Sequence, residues 1–194
     1  MAEVLERAQR LGFLGPGPVE EHLHHADGFA SAVVAPVQAL DLGSGGGVPG
    51  LTLALDWPGS SWVLLDANRR RAAFLETAVG ELGLVERVQV VAERAEVVAR
   101  DRALRGTFDL VVARSFGPPA VTAECASGFL RVGGQLVVSE PPVEDETRWP
   151  AAGLRQLGLA DLGRRGSVRV LTQTELLDDR FPRRTGTPAR RPLW

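Results

Sequence analysis

The residues best suited to chemistry sit in one short stretch, Asp41-Leu42-Gly43-Ser44-Gly45-Gly46-Gly47-Val48-Pro49-Gly50. Glycines at a turn let the backbone come close to a ligand, and a helix starting just after them aims unpaired N–H groups at it. A carboxylate about 20 positions further on, at the end of the next strand, is placed to accept hydrogen bonds from a ribose diol. Asp66, directly after Val63-Leu64-Leu65, stands there. Glycines alone say little, because many tight turns need positive φ. Strand, glycine loop, helix, strand and terminal aspartate in that order say more, and they point to a nucleotide-like ligand.

Such a site needs a frame, and the hydrophobic pattern supplies one. Residues 37–42 form a short apolar run that enters the loop and read as a first buried strand, with 51–55 continuing as helix. Residues 62–65 read as a second strand, and 69–82 as a helix with Ala72, Ala73, Leu75, Val79 and Leu82 facing inward and Gly83 as its stop. Further strands are expected at 88–91, at 108–113 and, after a Gly133-Gly134 turn, at 136–138. The 108–113 run is apolar throughout after its first residues, as in a strand buried on both faces. Strands alternating with helices at this spacing predict an α/β fold, a mostly parallel central sheet with helices on both faces.

The flanks divide differently. Residues 1–36 read as a helical segment, with one amphipathic helix over 3–14, a break at Gly15-Pro16-Gly17-Pro18, and a second helix from Val19 to about Val34. Residues 37–179 form the ligand-binding domain, with a late strand at 168–172. Residues 180–194, rich in arginine and proline, form a tail expected to be extended or mobile.

Composition bounds the rest. With 194 residues, 44% hydrophobic and 24% charged, the chain can bury a full core without a metal or disulfide staple. Cys125 is the only cysteine, which suits a reducing, cytoplasmic setting. The chain holds 22 basic and 24 acidic residues, which argues against a protein coated in positive charge but leaves room for a local basic patch. All the basic residues are arginine, as a bias in codon usage would give. No stretch approaches the ~20 apolar residues of a membrane span, and the N-terminus lacks the layout of a signal peptide.

The glycine spacing narrows the ligand. A dinucleotide site shows Gly-x-Gly-x-x-Gly, whereas here the order is Asp41, Gly43, Gly45 and Gly47, followed by Pro49-Gly50. That form resembles the first motif of class I methyltransferases, whose Rossmann-like fold holds S-adenosylmethionine. The wider pattern resembles a bacterial family that methylates a guanine N7 in small-subunit (16S) ribosomal RNA, the glucose-inhibited division protein B family. The resemblance rests on the loop, Leu64-Leu65-Asp66, Arg71-Ala72-Ala73-Phe74-Leu75, Arg94-Ala95-Glu96, the segment from Phe108 to Phe116, the turn from Leu130 to Leu136, and Arg180-Phe181-Pro182-Arg183-Arg184 with the residues that follow. It implies an S-adenosylmethionine-dependent enzyme whose partner is ribosomal RNA or the small ribosomal subunit, with no metal and no membrane. It implies cofactor contacts at Gly43, Val48, Asp66, Ala95, Glu96 and Arg114. Gly43 would admit close approach, Val48 would pack on the ligand, Asp66 would hold the ribose, and the Ala95-Glu96 pair would flank the adenine. For Arg114 three roles stay open: the methionine carboxylate, an anionic substrate, or a structural ion pair.

The chain departs from the family in two places. The N-terminal stretch shows no Asn-Leu-Thr element, and Glu21-His22-Leu23 runs on into His24-His25-Ala26-Asp27-Gly28 instead of the family's usual continuation. Ser139-Glu140 stands where a Lys-Gly pair is common, an exchange that would weaken attraction for phosphate. Other members of the same lineage act on other substrates, and a non-catalytic binding protein would share the loop. No catalytic side chain is identified: guanine N7 offers a free lone pair, so transfer to it needs no general base. His22, His24 and His25 have no partners at metal-site spacing and read as a polar helix face. Cys125 reads as a small buried apolar residue. Arg183, Arg184, Arg190 and Arg191 read either as contacts to RNA phosphates or as a solvated tail.

Overall fold

The computed structural model describes residues 1–143 and 145–194. Two helices lead, α1 (Ala2–Arg10) and α2 (Val19–Ala30). Then come β1 (Gln38–Leu42), α3 (Gly50–Asp56), β2 (Ser61–Leu65), α4 (Arg69–Glu81), β3 (Val88–Val91) and the short α5 (Ala95–Val98). The second half holds β4 (Phe108–Ala113), α6 (Pro119–Ser127), β5 (Leu130–Ser139), a 3₁₀ turn (Glu146–Arg148), α7 (Ala151–Gln156), β6 (Leu159–Arg165), β7 (Val168–Gln173) and α8 (Thr187–Arg190).

The strands form one seven-stranded sheet in the order β3-β2-β1-β4-β5-β7-β6. The first five run parallel, and β7 is inserted antiparallel between β5 and β6. Alternation along the strands splits the core in two. Leu40, Leu42, Val63, Leu65 and Val111 face α5, α6 and α7, while Ala39, Trp62, Leu64, Leu110 and Val112 face α1, α3 and α4. Both faces of the inner strands are dry, which is why they read as continuous apolar runs. The chain order reverses at β1, with β2 on one side and β4 on the other. A crevice therefore opens beyond the carboxyl ends of β1 and β4.

The expected strands and helices of residues 37–113 are all present, and several boundaries and faces differ. The first helix ends at Arg10 rather than 14, because Gly12 turns the chain at φ +71°. The second ends at Ala30, where the Ser31 hydroxyl donates to the Asp27 carbonyl at 2.6 Å and closes the last turn. On α4 the buried stripe is Ala72, Phe74, Leu75, Ala78 and Val79, with Ala73 turned to solvent and Leu82 half-buried. Asn68 caps that helix by accepting the Arg70 and Arg71 N–H groups, worth about 1 kcal/mol. The Gly133-Gly134 pair is not a turn ahead of the fifth strand but a bulge within it. The register steps from Phe108↔Leu130 to Leu110↔Gln135, and residues 131–134 loop outward. Sequence reading missed β6 and α7; β6 carries charge and a bend at Gly163 (φ +94°), so its period is broken.

The C-terminal segment departs most from expectation. It is folded against the domain. Arg183 donates to Glu124, a fully buried carboxylate on α6, through Nε at 2.9 Å, Nη2 at 2.6 Å and its backbone N–H at 2.7 Å. Phe181 is buried, and Arg105 donates to the Phe181 carbonyl at 2.8 Å. Trp194 lies over Gly153, and its Nε1 donates to the Arg148 carbonyl. No helix among the described residues is long and apolar enough to cross a membrane.

Candidate active site

The glycine loop leaves β1 and is bound into the end of β2: Gly43 and Ser44 donate to the Leu65 carbonyl at 2.8 and 3.1 Å. Gly43 sits at φ +77° with the Phe116 ring against it, and a Cβ there would lie 2.7 Å from that ring. The position thus demands glycine twice over, for its backbone and for its neighbour. Asp66 closes the other side of the loop. Its Oδ2 accepts the Gly45 N–H at 2.9 Å and its Oδ1 accepts the Asn68 N–H at 2.8 Å, so each oxygen keeps a lone pair for a further donor. Arg71 stands 3.8 Å from Asp66.

Asp41, the leading acid, lies beneath the loop rather than in the crevice. It is 1% exposed and accepts the Gly50 N–H at 3.0 Å, which pins the start of α3. Burial pushes its carboxyl up to about 7, and the Gly50 hydrogen bond only partly offsets this. Its role is to hold the loop's shape.

A cavity of about 330 Å³ opens between these parts. Gly43, Asp66, Ala95 and Glu96 line it, four of the six residues expected from sequence. Ala67, Phe116, Val121, Cys125 and Ala189 complete the wall. None of these five was singled out as a contact. Ala189 comes from the C-terminal α8, a neighbour no local pattern reveals. Cys125 is buried, and its thiol is pushed well up by burial, so it is a wall and not a nucleophile. Glu96 is 4% exposed and already engaged, accepting Arg94 Nη2 and the Gly186 N–H, both at 2.9 Å. Burial alone would raise its carboxyl, but those two hydrogen bonds outweigh it and hold it below the usual range.

The other two expected residues lie elsewhere. Val48 packs with Leu5, Val19 and Ala26 under the leading helices. Arg114 lines a separate, adjoining cavity of about 500 Å³ with His22, His25 and Glu140. Ser115 and Gly117 line both cavities, so the two meet at the end of β4. The histidines correct an expectation: His24 is solvent-facing, but His22 is buried and His25 half-buried on the inward side of α2. Glu140 is also not a free acid at the surface. It accepts Trp149 Nε1 at 2.8 Å and Arg148 Nε at 3.2 Å, so its charge is met within the protein. A further opening of about 410 Å³ lies at the amino ends of the strands near Trp62 and Phe108, the edge where α/β sheets do not bind ligands. Among the described residues no cluster of His, Cys, Asp and Glu is disposed to hold a metal.

Comparison with known proteins gives a consistent picture. A family model described as rRNA small subunit methyltransferase G matches residues 19–146. The ribosomal RNA small subunit methyltransferase G of Synechococcus sp. is 34% identical over 169 residues, covering 81% of this chain and 70% of that protein. That of Symbiobacterium thermophilum is 35% identical over 191 residues, covering 90% and 78%. Among solved structures, an O-methyltransferase from neocarzinostatin biosynthesis, in complex with S-adenosylmethionine and 2-hydroxy-5-methyl naphthoic acid, shares the fold. Its TM-score is 0.61 at 19% identity, with 79% of this chain and 55% of that one covered.

Proposed function

The chain belongs to the rRNA small subunit methyltransferase G family, and from that membership and the paired cavities we propose that it methylates guanine N7 in 16S ribosomal RNA with S-adenosylmethionine as donor. The residues present fit that donor. Asp66 offers unused lone pairs to a ribose diol, Gly43 brings backbone to the cavity's edge, and Ala95, Phe116 and Val121 give flat apolar walls for a purine. The cavity volume lies within the range of cofactor pockets.

The bound donor would supply a sulfonium-activated methyl group. Guanine N7 carries an unprotonated lone pair, so the new N–C bond forms as the S–C bond breaks, with its electron pair returning to sulfur and no proton moving. The protein's work is then orientation and exclusion of water. The site matches that demand: Glu96 is tied to Arg94 and Gly186, Asp66 to two backbone N–H groups, and the Cys125 thiol is held protonated.

The meeting of the two cavities at Ser115 and Gly117 carries this reading, because it brings a donor site and an acceptor site to one edge of the sheet. Incubating the purified protein with methyl-labelled S-adenosylmethionine and unmodified small-subunit RNA tests it. N7-methylguanosine should be the labelled nucleoside; label on another atom or no label at all refutes the assignment.

A further inference from the structure

The adjoining cavity is walled by His22 and His25 of α2, Arg114 after β4, and Ser139, Glu140 and Arg148 beyond β5. Two buried nitrogens there, Arg114 Nη1 and His25 Nε2, have no hydrogen-bond partner in the protein. Burying such groups unpaired is costly, so native proteins rarely do it without a function. Arg114 is nonetheless firmly aimed. Its Nη2 lies 2.7 Å from His22 Nδ1, and His22 Nε2 lies 3.1 Å from the Gly15 carbonyl. A guanidinium only donates and a carbonyl only accepts. Both contacts hold together only for a neutral His22 with its proton on Nε2 and its lone pair on Nδ1.

Two more features belong to the same place. Ser115 has φ +55°, and among the described residues no other non-glycine has positive φ. Backbone in that region is kept where surroundings enforce it, and it gathers at functional sites. Ser115 is also where the two cavities join. Across from Arg114, Glu140 presents a carboxylate whose oxygens each have one protein donor and room for another. The chamber thus offers an unpaired cationic donor on one side and a carboxylate on the other.

Guanine has the matching edges. It carries two acceptors, N7 and O6, side by side, and its other edge carries N–H donors; adenine sets an amino donor beside N7 instead. Building on the guanine-N7 reading above, we propose that this chamber is the pocket for the target base, in which Arg114 Nη1 donates to guanine O6 and His22 is the residue that positions it. Guanine N7 then faces the junction at Ser115, and adenine is refused because its amino group meets the guanidinium N–H. A base read this way must leave its stack, as bases do in enzymes that act on them.

Three variants of the full chain, assayed with S-adenosylmethionine and unmodified small-subunit RNA, separate this role from a contact to the donor. Arg114→Met should leave donor affinity by calorimetry within about 3-fold, yet lower kcat/KM for RNA roughly 10- to 150-fold, as loss of a charged hydrogen bond does. His22→Ala should lower kcat/KM in the same sense, and His22→Gln, whose amide oxygen accepts, should recover most of it. Loss of donor binding in Arg114→Met with kcat unchanged at saturating donor would overturn the proposal and make Arg114 a cofactor clamp. A second measurement stands whether or not the wild type methylates RNA. Millimolar guanosine monophosphate should shift the His22 and His25 imidazole NMR signals, and adenosine monophosphate should not. If the wild type leaves N7 unmethylated, the function assigned above fails while this titration still judges the pocket; equal responses to both nucleotides, or none, overturn the pocket.

Discussion

Two aspartates in the same motif do different work, and their surroundings decide which. Asp66 faces the crevice with lone pairs to spare, so Asp66→Ala should weaken S-adenosylmethionine binding roughly 10- to 150-fold by calorimetry, the loss expected for a hydrogen bond to a charged group. Unaltered affinity would remove Asp66 from the ribose role. Asp41 is buried under the loop with its carboxyl pushed up to about 7, well above its value of 3.8 in the unfolded chain. Between those values the folded state holds a proton that the unfolded state has released, so this group's contribution to stability falls as pH rises from about 4 to about 7. Asp41→Asn keeps an oxygen for the Gly50 N–H and carries no charge. Its unfolding midpoint should therefore lose that dependence and exceed the wild-type value at pH 8. A variant less stable than wild type at pH 8 would show that the ionised form is the one the fold prefers. The type and spacing of these two residues were legible in the sequence. Their division of labour was not, since it depends on depth below the loop.

At the scale of elements, the loop is shaped by what it touches. Gly43→Ala places a methyl against the Phe116 ring and forces φ +77° on an L side chain, a strain of about 1–2 kcal/mol before the ring moves. The variant should fold, melt lower and bind donor more weakly; wild-type donor affinity would mean that Phe116 does not form the wall described. The β1–β4 frame was readable because each inner strand is buried on both faces and each helix between them has a clear stripe. The region beyond β5 was not. The charged and glycine-bent β6 pairs with a single neighbour, β7, and so shows neither alternation nor a continuous apolar run. The α2 histidines were misread for a related reason: a polar residue aimed into a polar cavity looks, in sequence, like one aimed at water.

For the molecule as a whole, the C-terminal segment is part of the site's construction. Through Arg183 it neutralises the buried Glu124, through Gly186 it holds Glu96, and through Ala189 it walls the donor cavity. Trp194 meanwhile braces Arg148, which in turn holds Glu140 beside the second cavity. Arginine and proline content suggested a mobile tail because composition does not reveal a buried carboxylate 59 residues away. Arg183→Ala strands that carboxylate and should cost roughly 3–5 kcal/mol in urea unfolding, with Glu124→Gln added to it restoring much of the loss. A cost below about 1 kcal/mol, the range of exposed pairs, would show that the segment is not anchored there. The claim on which everything else depends is guanine-N7 methylation of small-subunit RNA, and its most direct test is made in cells. Mapping N7-methylguanine in 16S ribosomal RNA with the gene present and deleted should show one modified position lost, restored by the wild-type chain and not by Asp66→Ala. An unchanged map would contradict the account.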